Sequence, residues 1–166
     1  FDRGVQRQEV GLFGDRTDHF DHFADPAGGL GEIGDPRMIA LGEHNLGILT
    51  RVQGDFPATR ELFASALRVQ SDQGDRWALA FMLEDVAALA ALVDEPELSL
   101  RLAGAGAALR EEMRSPHGVA AQQELDAQLE PARVALGERA DAVWAEGESL
   151  GLDEAIRQAL VFCERA

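Results

Sequence analysis

One dipeptide recurs along this 166-residue chain at a fixed spacing, and that regularity limits the fold more than any other feature. Gly14-Asp15 returns 40 residues later as Gly54-Asp55 and, in altered form, as Asp94-Glu95. Out of phase with these, Gly34-Asp35 returns as Gly74-Asp75, and Phe23-Ala24 falls on Phe63-Ala64 with the same step. A turn that recurs at a fixed period marks one supersecondary unit copied along the chain, and units of this size are usually helix pairs that stack into a solenoid. Such an array offers a surface to a partner more often than a catalytic pocket.

The prolines support helices between the turns. Five of the six stand where a helix should begin, each close behind a residue able to cap it: Asp25-Pro26, Asp35-Pro36, Asp55-Phe56-Pro57, Asp94-Glu95-Pro96 and Ser115-Pro116. Proline suits a first helical turn because the N–H it lacks would have had no partner inside the helix. Apolar residues between these marks step by three and four, as in Leu62, Phe63, Ala66, Leu67, then Leu83, Val86, Ala87, Ala90, then Leu98, Leu102, Ala105, Leu109. The pattern predicts helices at about 36–53, 57–73, 76–93, 96–114 and 117–136, with shorter ones at 138–148 and 152–164. Residues 1–35 fit less well, because Gln6-Arg7 stand where Leu46-Gly47 should and several glycines follow Pro26. Each glycine costs close to 1 kcal/mol relative to alanine in a helix, so a degenerate first repeat or a loop is expected there.

Composition agrees with helix on helix. Aromatic residues make up only 6% of the chain against 27 alanines, so the core must be built from small side chains on closely packed helices. The charge argues against nucleic acid: 30 acidic residues oppose 15 basic ones, all arginine, for a net −15, and a polyanion would be repelled. Cys163 stands alone, which excludes a disulfide framework or a cysteine zinc site within one chain and suits a cytoplasmic setting. The most apolar stretch, Val86 to Val93, is far too short for a membrane span. No signal peptide is visible, and the opening Phe1 suggests a piece of a longer protein.

Laid on a helix pair, Ala40 to Gln70 reads as a tetratricopeptide repeat: Asn45-Leu46-Gly47 in the first helix, Gly54-Asp55-Phe56 at the turn, Phe63 and Ala66-Leu67 in the second. Leu79 to Leu109 repeats this with Val86-Ala87, Asp94 and Leu102-Ala103. Further phrases, from Gly74-Asp75-Arg76-Trp77 through Leu100-Arg101-Leu102-Ala103-Gly104-Ala105 to Val143-Trp144-Ala145-Glu146-Gly147 and Leu152-Asp153-Glu154-Ala155, resemble the carboxy-terminal repeat region of large bacterial LuxR-type and AfsR-type regulators. In these a nucleotide-binding module precedes repeats of the maltose-regulator kind. The resemblance implies an all-α, tetratricopeptide-like superhelix of antiparallel helix pairs, with 1–35 a degenerate start, 36–114 two repeats and 115–166 a helical cap, all one domain. It also implies a non-catalytic regulatory segment without a cofactor, which binds a protein or a small effector, acts on neighbouring domains and makes no direct contact with nucleic acid or membrane.

In that register the first helix of each pair lines a concave groove, which sets His44, Asn45, Ile48 and Arg51 beside Phe81, Glu84, Asp85 and Ala88. One arginine, one histidine and two carboxylates suit a small polar effector or a peptide bearing both charges. The segment Asp18-His19-Phe20-Asp21-His22-Phe23-Ala24-Asp25 holds the other chemistry: His19 and His22, three apart, share a helix face, and Asp18, Asp21 or Asp25 would complete a nitrogen and oxygen set for a divalent metal. A polar face opposite Phe20 and Phe23 explains it as well, and a stand-alone helical metal-binding protein or enzyme is the alternative it supports. Cys163, Trp77 and Trp144 read as packing residues, His117 as part of a helix's first turn, and Gly104-Ala105-Gly106-Ala107 as a place for close helix packing. Apolar surface left by an incomplete first repeat would favour a homodimer.

Overall fold

A computed structural model describes residues 35–165. The described part is all-α: α1 (Pro36–Gln53), α2 (Phe56–Gln73), α3 (Arg76–Leu92), α4 (Pro96–Met113), α5 (Val119–Leu136), a 3₁₀ turn (Gly137–Arg139), α6 (Ala140–Glu148) and α7 (Leu152–Cys163). The helices expected from the proline and glycine marks are therefore present to within a few residues.

The first four helices keep time at half the period read from the sequence. Gly54 and Gly74 adopt left-handed backbone at φ 81° and 65°, and so do the non-glycine residues at the next two steps of 20, Asp94 at 60° and Arg114 at 53°. After each, one backbone N–H reaches back to close the helix: Asp55 to the Thr50 carbonyl, Asp75 to Gln70, Glu95 to Ala90 and Ser115 to Arg110, at 2.9 to 3.1 Å. This left-handed closure satisfies carbonyls that the helix end would otherwise orphan. After Gly54 and Gly74 the next helix starts at once, because Asp55 and Asp75 accept from the backbone N–H of Ala58 and Ala78, as Asp35 accepts from Arg37 at the start of α1. The unit of turn geometry is thus one helix of 17 or 18 residues. Alternation of helix roles gives the doubled period seen in the sequence.

Turns so short force neighbours to fold back on one another, so α1 packs on α2 and α3 on α4, with α2 against α3. Helix α3 is central, buried from Met82 to Ala90 without a break. Beyond Arg114 the pattern changes. Pro116 does not open a helix; it sits in a longer connection, and α5 begins only at Val119. The helix α5 then lies against both α3 and α4, α6 against α4, and α7 reaches back to α2 as well as to α4 and α3. The C-terminal helices therefore cover the earlier ones and do more than close an end.

Small residues set the spacing. Gly47 faces the Phe63 ring across the α1–α2 pair, where a Cβ would collide with ring carbons at 2.6 Å. Gly104 and Gly147 bring α4 and α6 into backbone contact: a Cβ on Gly104 would lie 3.1 Å from the Glu148 nitrogen, and one on Gly147 2.8 Å from the Arg101 carbonyl carbon. The glycine-alanine run at 104–107 does serve close packing, as its sequence suggested.

Candidate functional site

The adjacent acids Glu84 and Asp85 sit on the inner side of α3, and each is met by its own arginine and histidine. Asp85 accepts from Arg51 at 3.4 Å and pairs with His44 Nε2 at 2.7 Å, both from α1. Glu84 takes a two-pronged contact from Arg110 of α4, Nε to Oε1 at 2.6 Å and Nη2 to Oε2 at 2.8 Å. His117 Nε2 adds a third contact to Oε1 at 3.0 Å. A carboxylate–guanidinium fork of this kind fixes orientation as well as charge. The Arg110 guanidinium also lies 4.1 Å from the centre of the Phe81 ring, with the His117 ring edge-on to Phe81 and Trp77 edge-on to it in turn.

Local sequence explains how these groups meet. Adjacent positions on a helix point about 100° apart, so Glu84 turns toward α4 while Asp85 turns toward α1. Gly106 makes room for the first, since a Cβ there would lie 3.1 Å from Glu84 Cγ. The lengthened connection after Arg114 carries His117 back over Glu84. Gln128 of α5 accepts from Arg51 Nη1 at 3.4 Å, which links the Asp85 set of contacts to the covering helix.

All four ionic side chains are buried: Arg51, Glu84, Asp85 and Arg110 are each no more than 7% exposed. Charges taken out of water in this way persist only with such partners. Of the residues expected to line an open groove, the structure brings together His44, Arg51 and Asp85 directly, and Phe81 and Glu84 through Arg110 and His117. Ile48 and Ala88 are buried in the core, and Asn45 is exposed on α1. The expected groove wall is therefore mostly interior, with α5 across α3, so these residues present little open surface. Arg110, His117 and Gln128 were missed as site residues. Arg110 lies 26 positions from its acid and 34 lies between Arg51 and Asp85, separations that no local pattern reports.

Open space lies beside the Glu84 cluster. A cleft of about 360 Å³ runs between the end of α4, the 114–118 connection and α5, with Trp144 of α6 as a wall. Glu84, Arg110 and His117 lie at its base, Leu125, Pro116 and Trp144 give apolar contact, and Arg114 and Gln122 stand exposed at its edge. That volume is within the range of small-molecule sites.

His19, His22, Asp18, Asp21 and Asp25 lie outside the described residues. Among the described residues no group of three His, Cys, Asp or Glu side chains could hold a metal ion, and no helix is long and apolar enough to cross a membrane. Cys163 is buried, and burial is the main cause that pushes its thiol up to about 12, so it is protonated and unreactive at neutral pH. No family model, curated protein or solved structure matches the chain.

Proposed function

We propose that this chain is a non-catalytic regulatory segment of a bacterial signalling or transcription protein, of the tetratricopeptide kind, and that it binds a small effector in the cleft at the α4–α5 connection. The observation that carries the reading is the position of that cleft. It opens directly on the Glu84–Arg110–His117 cluster, and on α3 Glu84 is next in sequence to Asp85, whose contacts with His44 and Arg51 tie α3 to α1. A ligand there touches the groups that set how the helices sit on one another, which is what a regulatory segment requires. The helix pairs and the 20-step turns support the repeat-array reading.

His44 and Arg51 are engaged with buried Asp85, so replacing them would damage folding; Arg114 and Gln122 are exposed at the cleft edge. Benzoate is a suitable probe, with a ring for Trp144 and Leu125 and a carboxylate for Arg114. Titration followed by heteronuclear NMR is expected to give saturable shifts at Ala107, Gln122, Leu125 and the Trp144 indole N–H, lost in Arg114→Ala. Absence of saturable shifts up to millimolar benzoate would remove the cleft as an effector site.

A further inference from the structure

The outer face of α1 is apolar and open. Ile39, Leu46, Leu49 and Val52 are 53, 50, 39 and 63% exposed, although they share one side of the helix, opposite the side that buries Ala40, Gly47 and Ile48. The positions interleaved with them are Met38, Gly42, Asn45 and Gln53, so the whole stripe carries no charge in a chain of net −15. A contiguous face of this kind marks a contact surface.

We propose that its occupant is the chain's own residues 16–33, which lie outside the described residues. Eighteen positions separate Gly14-Asp15 from Gly34-Asp35, the same number as in α1 and in α2, each of which begins after an aspartate cap and ends at a left-handed glycine. Across the turn at Gly74-Asp75, α2 packs against α3. In sequence, residues 16–33 precede Gly34-Asp35 and α1 as α2 precedes Gly74-Asp75 and α3. They bring suitable side chains, with Phe20, Phe23, Ala27 and Leu30 stepping by three and four. A second copy is the weaker occupant. Two chains of charge −15 repel, whereas a segment joined to α1 by two residues meets it at an effective concentration that dimerisation does not reach. Pro26 and the glycines at 28, 29 and 31 give the stretch poor helix propensity, so its protection should depend on the α1 contact.

Hydrogen exchange on the full chain tests this, comparing wild type with Leu46→Asp/Leu49→Asp and with Phe20→Ser/Phe23→Ser, alongside light scattering over a concentration series. Because Leu46 and Leu49 are exposed in the described structure, α3 and α4 should keep their protection in the first variant. Expected are a wild-type monomer with slowed amides within 16–33, and a roughly tenfold or greater loss of that protection in both variants. Three results would overturn the proposal: unprotected amides at 16–33 in wild type, protection that survives Leu46→Asp/Leu49→Asp, or a dimer that this variant dissociates while 16–33 is unchanged.

Discussion

Helix α4 is held on its two sides by different physics. Toward α3 it is fixed by charge: Arg110 grips Glu84 where both are removed from water, and Gly106 leaves space for the acid. Toward α6 it is fixed by shape, since Gly104 and Gly147 let two backbones touch with no side chain between them. The comparison teaches that one stretch, Gly104 to Arg110, serves both contacts. The two should fail differently. A charged contact can be replaced by a well-packed apolar one, because the cost of burying the ions disappears with them. A contact made by absent atoms has no substitute.

The largest expected effect is on the charged side. Glu84→Ala leaves Arg110 buried without its acid and should cost about 3–5 kcal/mol, measured by urea unfolding. Pairing Glu84→Leu with Arg110→Met should recover most of that loss; if the double variant is as unstable as the single, the cluster is held by more than its charges. Gly147→Ala is next, at roughly 2–3 kcal/mol, because its new methyl group meets the Arg101 carbonyl and neither backbone can yield easily. No compensating change at position 104 should rescue it, since glycine already stands there; a cost below the error of the measurement would mean that α6 can tilt away.

The smallest effect belongs to an exposed ion pair on α7. The hydrogen bond from Arg157, then that from Gln158, holds the Glu154 carboxyl well below its ordinary value, at about 2. A group whose pKa is lowered on folding stabilises above its unfolded value and loses that contribution as pH falls through the folded one. Glu154→Gln should therefore differ from wild type only slightly at pH 7, screened as the pair is by solvent, and the difference should vanish as pH falls from about 4.5 to about 2. A difference that grows on acidification would contradict this assignment.

Much of the fold was legible because its signals are local. Asp55 and Asp75 each lie next to the backbone they cap, and Gly54 and Gly74 supply the left-handed turn that the preceding helix needs, so both read directly from the chain. Asp94 and Arg114 take the same backbone without glycine, which hid the 20-residue step. Pro116 misled for a related reason: proline fits a first helical turn, but it fits a loop equally, and here it belongs to the connection that carries His117 onto Glu84. The candidate site was half legible. The register implied by the tetratricopeptide resemblance set Glu84 and Asp85 beside His44 and Arg51 in an open groove, but it does not report that α5 lies across that face.

By itself the sequence determined the helices and their order and, from α1 to α4, where each begins and ends, because capping and periodicity act over a few residues. Only the tertiary structure decided which surfaces remain open. Whether Asp85 meets solvent or Arg51, and whether Gly147 is a flexible point or a close backbone contact, depends on residues 34 and 46 positions away. Burial of a charge or closure of a backbone contact is a property of packed helices in space, to which a period along the chain is blind.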